Sequence, residues 1–176
     1  MKRILVTGAA GQIGTELVVR LREVVGDDAV LATDLRTPEP AHPVVAGGPF
    51  RTVDCTRGAE LAEAVRAHRP DTVFHLAALL SAVGEQKPVL AYQVNLGGLM
   101  EVLEVARAEG FALFTPSSIA AFGPDSPRDP TPQDTVQRPT SMYGVTKVAG
   151  ELLCDYYHQK FGVDTRGLRY PGLISH

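Results

Sequence analysis

Gly8-Ala9-Ala10-Gly11-Gln12-Ile13-Gly14 follows the apolar run Ile4-Leu5-Val6 near the start of the chain. Apolar residues then recur at helical spacing, at Ile13, Leu17, Val18 and Leu21. A strand, a glycine turn and a helix in this order form the first arm of a dinucleotide-binding βαβ unit. We therefore predict a parallel α/β fold with a dinucleotide site at the end of the first strand.

Each glycine of the turn has its own physical role. Gly8 permits the tight turn, Gly11 lets the backbone approach a pyrophosphate, and Gly14 lets the helix pack closely on the strand. The helix begins at Gln12 and Ile13, whose backbone N–H groups we expect to face the phosphates.

A carboxylate ends the second predicted strand, Val30-Leu31-Ala32-Thr33-Asp34. Asp34 comes twenty residues after Gly14, the spacing at which an acidic residue accepts hydrogen bonds from the adenosine ribose. Asp34 and the adjacent Leu35 are therefore predicted cofactor contacts. Because Asp34 would repel a 2′-phosphate, NAD is favoured over NADP. Arg36, whose guanidinium could hold that phosphate, keeps NADP as the minority option.

Six strand signals alternate with helices along the chain. After the first two strands, strands are predicted over 50–54, 72–78, 111–115 and 163–170, and helices over 58–68, 89–108 and 143–161. Segments rich in proline or glycine, at 37–49 and 123–139, are predicted loops. The alternation predicts a doubly wound, Rossmann-type parallel sheet that binds ligands at the carboxyl ends of its strands. Residues 1–176 form one predicted dinucleotide-binding domain, which we expect to be the N-terminal portion of a longer enzyme.

Tyr143 and Lys147 stand four residues apart at the head of the last predicted helix. That spacing places the two side chains about 40° apart on one helix face, where the ammonium can stabilise a phenolate. Ser118 follows a predicted strand further upstream and supplies a hydroxyl at the same edge of the sheet. These three residues are the predicted catalytic set, with Tyr143 as the general base for an alcohol proton.

Tyr156 and Lys160 have the same spacing. Tyr156 lies thirteen residues after Tyr143 and so points about 220° further round the helix. We interpret Tyr156 as a packing or interface residue.

Charge and composition exclude several function classes. The 176 residues carry a formal net charge of −3, and the arginines are scattered, which argues against nucleic-acid and anionic-membrane partners. We expect a small-molecule substrate. Cys55 and Cys154 fit neither a metal-ligand spacing nor a disulfide framework, and no metal is predicted. His75 is predicted to be a hydrogen-bonded core residue. The N-terminal residues run directly into a strand rather than a signal peptide, so a cytoplasmic location is expected.

The helices predicted over 89–108 and 143–161 carry apolar residues on more than one face. A monomer would leave part of this surface exposed as a patch large enough to invite association. We therefore predict a homodimer in which these two helices of each subunit pack against those of the other.

The residues identified so far resemble the extended short-chain dehydrogenase/reductase family of the NAD-dependent epimerase/dehydratase superfamily. The likeness rests on the glycine turn, on Leu76-Ala77-Ala78, Asn95 and Ser118, and on the Tyr143–Lys147 pair. Further segments look like the short-chain type of L-threonine 3-dehydrogenase: Leu79-Leu80-Ser81-Ala82-Val83-Gly84-Glu85, the segment 116–124, Gln137-Arg138-Pro139 and Arg169-Tyr170-Pro171-Gly172.

This resemblance implies NAD-dependent oxidation of L-threonine to 2-amino-3-oxobutanoate. Tyr143 would remove the proton of the substrate hydroxyl, Lys147 would hold the nicotinamide ribose and lower the tyrosine pKa, and Ser118 would hydrogen-bond the developing carbonyl oxygen. Ser81 is the further implied substrate contact. The remaining implied cofactor contacts are Asp54, Leu76, Ala77, Ala78, Asn95 and Tyr170.

Two other functions remain open on the sequence. A nucleotide-sugar epimerase or dehydratase of the same superfamily would keep hydride within its catalytic cycle rather than release NADH. A non-catalytic dinucleotide-binding module would have no need for a base at Tyr143. In the family, a C-terminal half that this chain lacks supplies most substrate contacts, so we expect the chain alone to be impaired in turnover.

Overall fold

A computed structural model describes residues 1–172 of the chain. The strands are β1 (Ile4–Thr7), β2 (Val30–Asp34), β3 (Phe50–Thr52), β4 (Thr72–His75), β5 (Ala112–Phe114), β6 (Ser117–Ser118), β7 (Thr165–Arg166) and β8 (Arg169–Tyr170). Within the described residues, a six-stranded parallel sheet has the order β3-β2-β1-β4-β5-β7, and β6 pairs with β8 in a second parallel ladder. The strand order runs from β1 outward to β3 on one side and from β4 outward to β7 on the other, which confirms the predicted doubly wound sheet.

The helices are α1 (Gln12–Val25), α2 (Pro43–Ala46), α3 (Gly58–His68), α4 (Ser81–Gln86), α5 (Pro88–Ala91), α6 (Gly98–Glu109) and α7 (Met142–Phe161). A π-helical turn, Tyr92–Gly97, joins α5 to α6, and 3-10 turns occupy Asp27–Ala29 and Ile119–Ala121. Across residues 1–172, none of these helices is both long and apolar enough to cross a lipid bilayer.

Two apolar cores hold helices on opposite faces of the sheet. Leu5 of β1 packs in one core with Leu61 of α3. Its neighbours Ile4 and Val6 pack in the other core with Val18 of α1. Successive residues of a strand point to opposite faces, so β1 is buried on both sides, which explains its unbroken apolar sequence.

The structure corrects several predicted boundaries. The segment 37–49, predicted as a loop, contains the short helix α2. The helix predicted over 89–108 begins at Pro88, ends at Glu109 and contains the π-helical turn. The strand predicted over 163–170 is divided into β7 and β8.

Pro116 gives the physical reason for that division. Proline has no N–H to donate to a neighbouring strand, so β5 ends before Pro116 and β6 begins after it. Backbone hydrogen bonds still cross the break, from Thr115 N to Arg166 O at 3.0 Å and from Ser117 N to Leu168 O at 2.8 Å. The two chain segments therefore stay paired across the break, although β5 and β7 belong to the six-stranded sheet and β6 and β8 to the second ladder.

Arg22, near the end of α1, holds the chain that follows β2. Its side chain is buried and donates to four backbone carbonyl oxygens at 2.8 to 3.4 Å, those of Val30, Pro43, Val44 and Pro49. Burial lowers the pKa of the guanidinium. These contacts fix α2 against α1 beside the end of β2.

Arg22→Met is expected to lower the free energy of unfolding by about 3 kcal/mol, because four buried carbonyl oxygens would lose a charged donor. Urea unfolding measures this change. The control is Arg20→Met on the same helix, which removes an exposed ion pair with Glu23 and should change stability by less than about 0.5 kcal/mol. Equal losses in the two variants would contradict the role of Arg22.

Candidate active site

The glycine turn presents bare backbone at the end of β1. Gly8 has a φ of +67°, and a Cβ on it would lie 2.6 Å from a backbone nitrogen of the loop after β4, so glycine is required there. A Cβ on Gly14 would lie 2.3 Å from the Gly8 carbonyl oxygen. Gly11 is the N-cap of α1, and Gln12 and Ile13 form its first turn. The predicted phosphate-binding residues therefore share one edge of the sheet.

Asp34 ends β2 next to this turn. One carboxylate oxygen accepts a hydrogen bond from Ala10 N at 2.9 Å, and the other accepts one from Leu35 N at 2.8 Å. Leu35 and Arg36 are exposed beside it. The carboxylate is thus fixed at the edge where the ribose contact is predicted.

The loop after β4 borders a cavity of about 550 Å³. Leu76-Ala77-Ala78, Asn95 and Lys147 line part of it. The Asn95 amide accepts from Leu79 N at 2.7 Å and donates to Leu79 O at 3.0 Å and to Thr146 Oγ1 at 3.2 Å. Asn95 lies in the π-helical turn, so this irregular turn anchors the loop that the cofactor is predicted to contact.

Two further predicted cofactor residues lie in different surroundings. Asp54 follows β3, and its carboxylate accepts from the hydroxyl and the backbone nitrogen of Thr56 at 2.7 and 2.9 Å. The hydrogen bond from the Thr56 side chain, aided by Arg57, holds the pKa of Asp54 below its usual range. Tyr170 lies on β8, in register with Ser118. Cofactor contacts of both residues stay predictions.

Ser118 and Tyr143 are brought together by a close approach between α7 and the 3-10 turn after β6. Ser141 caps α7 by accepting from Gly144 N at 3.0 Å. A Cβ on Gly144 would lie 2.3 Å from the Ala120 carbonyl oxygen, so the first turn of α7 lies directly on the 3-10 turn. Ser118 Oγ accepts from Ala120 N at 3.1 Å, and its side chain also hydrogen-bonds Tyr143.

Lys147 lies one helical turn after Tyr143. Its Nζ donates to the Pro116 carbonyl oxygen at 2.8 Å and lies 5.3 Å from the centroid of the Tyr143 ring. Burial lowers the pKa of Lys147 to about 8, and the negative charge of Glu151 opposes that shift. The structure therefore brings all three predicted catalytic residues together.

Tyr143 differs from its predicted electrostatic state. Burial raises the pKa of Tyr143, and the hydrogen bond with Ser118 offsets only part of the rise. A pKa lowered by Lys147 is predicted from the resemblance, but the Lys147 ammonium is directed to the Pro116 carbonyl oxygen instead. Burial is therefore the largest effect on the pKa of the Tyr143 phenol.

His75, at the end of β4, lines the same cavity. It is 3% exposed, and its Nδ1 lies 2.8 Å from Thr7 Oγ1, which confirms the predicted hydrogen-bonded core histidine. Among residues 1–172, its Nε2 has no hydrogen-bond partner. Burial, aided by the charge of Lys147, lowers the pKa of His75 to about 3, so the imidazole is neutral.

Ser81, predicted to lie in a loop, is the exposed first residue of α4. Glu85, on the same helix, accepts a hydrogen bond from Met142 N at 2.6 Å. This bond ties α4 to the first turn of α7, beside Tyr143. Ser81 is therefore near the predicted catalytic set, and its contact with substrate stays a prediction.

Sequence reasoning missed Glu151, which lies at the centre of a polar network behind Lys147. Glu151 stands four residues after Lys147 and eight after Tyr143. On a helix this spacing places all three side chains on one face. That periodicity was the available signal.

The model of the NAD dependent epimerase/dehydratase family matches residues 4–176. The chain belongs to this family. The match confirms the resemblance to extended short-chain dehydrogenases and identifies NAD as the cofactor.

Three similar proteins illustrate the range within the family. An uncharacterized epimerase/dehydratase of Staphylococcus saprophyticus is 60% identical over 100% of this chain and 55% of that protein. The structure of L-threonine dehydrogenase from Clostridium difficile is 55% identical with a TM-score of 0.97, covering 99% of this chain and 55% of that one. A monomeric L-threonine 3-dehydrogenase from a metagenome is 48% identical with a TM-score of 0.92, covering 98% and 54%. The chain thus spans about half the length of these family members.

The residues fit NAD in three respects. Gly8, with a φ of +67°, makes the tight turn that brings Gly11 and the first turn of α1 to the edge where a pyrophosphate would bind. The carboxylate of Asp34 is fixed beside the turn by Ala10 N. Ala77 and Ala78 line the cavity next to Lys147, where small side chains admit a ring. The site therefore fits NAD, as expected for a member of the NAD dependent epimerase/dehydratase family.

Proposed function

We propose that the enzyme containing this chain oxidises the side-chain hydroxyl of L-threonine to give 2-amino-3-oxobutanoate. The observation that supports this most strongly is the 55% identity and TM-score of 0.97 with the L-threonine dehydrogenase of Clostridium difficile. The placement of Ser118 and Lys147 beside Tyr143 supports the same chemistry.

Each catalytic residue has a defined task in this proposal. The Tyr143 phenol, as phenolate, removes the proton of the substrate hydroxyl. Ser118 hydrogen-bonds the same oxygen as it becomes a carbonyl. Lys147, as an ammonium 5.3 Å from the centroid of the Tyr143 ring, adds positive charge near the phenolate once it forms. NAD, when bound, accepts the hydride from the substrate carbon.

Holding the cofactor is the task of the glycine turn and its neighbours. Gly8, Gly11 and the first turn of α1 would hold the pyrophosphate, and Asp34 would accept the adenosine ribose hydroxyls. Lys147 would hold the nicotinamide ribose. Ser81, on α4, would contact the substrate.

The test is production of NADH by the purified full-length protein with L-threonine as the sole substrate. We expect a rise in absorbance at the NADH band that depends on L-threonine and is absent when buffer replaces L-threonine. L-Serine, which lacks the methyl group of L-threonine, serves as the substrate analogue. Failure of L-threonine to reduce NAD would contradict the proposal.

A nucleotide-sugar epimerase or dehydratase is the second candidate, because the family and the Staphylococcus saprophyticus relative both carry that description. Such an enzyme would convert a sugar nucleotide without net release of NADH. Conversion of a sugar nucleotide together with no NADH from L-threonine would favour this candidate. Binding of NAD without either reaction would favour a non-catalytic dinucleotide-binding module.

We propose that these residues form the dinucleotide-binding domain of a longer cytoplasmic enzyme. The support for the first part is coverage, since the chain matches 55% of the length of the Staphylococcus saprophyticus and Clostridium difficile proteins. The cytoplasmic location stays a prediction.

We also propose a homodimer formed by the helical surface between the π-helical turn and α7. An apolar groove lies there, lined by Tyr92, Leu96, Gly97, Met100, Ala149, Leu152 and Leu153. Tyr92 and Leu152 are 53% and 62% exposed, which is high for large apolar residues. A second copy of the same surface would cover both.

Light scattering of the full-length protein is expected to give the mass of a dimer at micromolar concentration. Leu152→Glu should give a monomer, because the charge would be buried in the interface. The control is Val24→Glu on α1, which is 66% exposed and lies on a different helix. A monomeric wild-type protein, as the metagenome enzyme is described, would contradict the interface.

A further inference from the structure

Glu151 collects hydrogen bonds from three directions behind Lys147. Arg169 binds it with two parallel bonds, Nε to Oε1 at 2.9 Å and Nη2 to Oε2 at 2.7 Å. The Ser117 hydroxyl donates to Oε1, and Gln137 Nε2 donates to Oε2 at 3.1 Å. The side chains of Glu151 and Arg169 are 22% and 16% exposed, so this ion pair is far more sheltered than an ordinary surface pair.

The partners of Glu151 are the immediate neighbours of site residues. Ser117 precedes Ser118 on β6, and Arg169 precedes Tyr170 on β8. Through Glu151, both strands are tied to α7, the helix that carries Tyr143 and Lys147. Adjacent residues of a strand point to opposite sides, so a contact at Ser117 fixes the direction of Ser118.

The same network reaches the proline-rich loop over 123–139. Gln137 belongs to this loop, and Arg169 Nη1 donates to the Gln133 carbonyl oxygen at 2.9 Å. The loop, β6, β8 and α7 therefore meet at one carboxylate.

Besides its hydrogen bonds, Glu151 carries a negative charge. Burial alone would raise its pKa, but the hydrogen bonds from Arg169, Ser117 and Gln137 outweigh burial and hold the pKa below its usual range. The carboxylate is therefore ionised at neutral pH.

Several charged or titratable groups surround Lys147. They are Tyr143 and Glu151 on α7, His75 at the end of β4 and Arg169 on β8. His75 is neutral, and the charge of Arg169 is paired with Glu151. The negative charge of Glu151 is the effect that raises the Lys147 pKa against burial, and that pKa still lies at about 8. Loss of that negative charge would therefore lower the pKa of Lys147 further.

We propose that Glu151, held by Arg169, is a positioning residue that aligns Ser118 and Tyr170 with Tyr143 and presents its carboxylate on the helix face that carries Lys147, one turn away. The inference rests on the proposed dehydrogenase function for its kinetic consequence. Its electrostatic consequence concerns NADH binding alone and does not depend on the identity of the substrate.

The first experiment measures the affinity of the full-length protein for NADH by fluorescence from about pH 6 to pH 9.5, a range set by the Lys147 pKa of about 8. Lys147 is expected to hold the nicotinamide ribose best as an ammonium, so affinity should weaken as pH rises through this pKa. Glu151→Gln keeps the shape and removes the charge, and it should move the midpoint about one pH unit lower. Arg169→Lys keeps both charges and should leave the midpoint unchanged.

The control is Glu109→Gln. Glu109 has 27% side-chain exposure and an ion pair with Arg66, which joins α6 to α3 far from the cavity. Glu109→Gln should leave the pH midpoint of NADH affinity at its wild-type value. A midpoint in Glu151→Gln equal to that of the wild type would overturn the electrostatic part of the proposal. Loss of folding in Glu151→Gln, seen as a collapsed melting temperature, would transfer the test to Ser117→Ala and Arg169→Lys.

The second experiment measures L-threonine oxidation by the same variants. Arg169→Lys loses the two parallel bonds to Glu151, so kcat should fall on the order of tenfold while KM for NAD changes little. A kcat within about twofold of the wild type in Arg169→Lys would overturn the alignment role. A wild-type protein that binds NADH with the expected midpoint shift yet ignores L-threonine would contradict the proposed function and leave the role of Glu151 in place.

Discussion

Tyr143→Phe is expected to reduce the rate of L-threonine oxidation by about three orders of magnitude, because the variant keeps the ring and loses the proton acceptor. NADH binding should persist, since Lys147 and the glycine turn are unchanged. Steady-state kinetics and NADH fluorescence measure the two effects separately. Loss of turnover with retained cofactor binding is the signature of a missing base rather than of a damaged fold.

The matched control is Tyr156→Phe on the same helix. Tyr156 also has a lysine four residues later, and Lys160 Nζ donates to its hydroxyl at 2.6 Å. It is 47% exposed and, thirteen residues after Tyr143, points about 220° further round the helix. We expect its turnover to match the wild type. Comparable rates in the two variants would refute the assignment of the base.

Asp34→Asn is expected to weaken NAD binding by about tenfold or more and to narrow the preference for NAD over NADP. The carboxylate would accept two ribose hydroxyls, and hydrogen bonds to a charged acceptor are each worth about 1.5 to 3 kcal/mol. Its charge would also repel a 2′-phosphate. Isothermal titration calorimetry with both cofactors measures the two affinities.

Arg36→Ala tests whether Asp34 or Arg36 sets the preference between NAD and NADP. Arg36 is exposed beside Asp34 and could hold a 2′-phosphate. If Asp34 sets the preference, Arg36→Ala should leave NAD affinity unchanged. Equal or tighter binding of NADP by the wild-type protein would assign the site to Arg36 instead. Because Asp34 also accepts from Ala10 N, a melting curve of Asp34→Asn accompanies the titration.

Much of the fold was predictable because its signals are local. Ile4-Leu5-Val6 reads as a strand buried on both faces, and the structure places it in the middle of the sheet between β2 and β4. Gly14 of the following turn is required by backbone contacts within a few residues, and Gly8 by its positive φ and by the loop after the adjacent strand β4. Alternation of strand and helix signals was then sufficient to predict a doubly wound parallel sheet, since parallel crossovers of one hand leave few arrangements.

The catalytic pair was predictable for a similar reason. Tyr143 and Lys147 belong to one helix, and helical periodicity alone places them on one face. Glu151 has the same periodicity, but a carboxylate on a helix is usually exposed, so its sequence position did not distinguish it. Its partners Ser117 and Arg169 lie 34 and 18 residues away in the chain.

Sequence by itself determined the parallel sheet, the glycine turn with Asp34, and the helix that carries Tyr143 and Lys147, because each depends on residues within a few turns or one strand of each other. Tertiary structure alone decided that Lys147 donates to the Pro116 carbonyl oxygen, that burial raises the Tyr143 pKa, and that Glu151 joins two strands and a loop to α7. These features depend on which distant groups become neighbours and on how much water they lose. Both are properties of the packed chain.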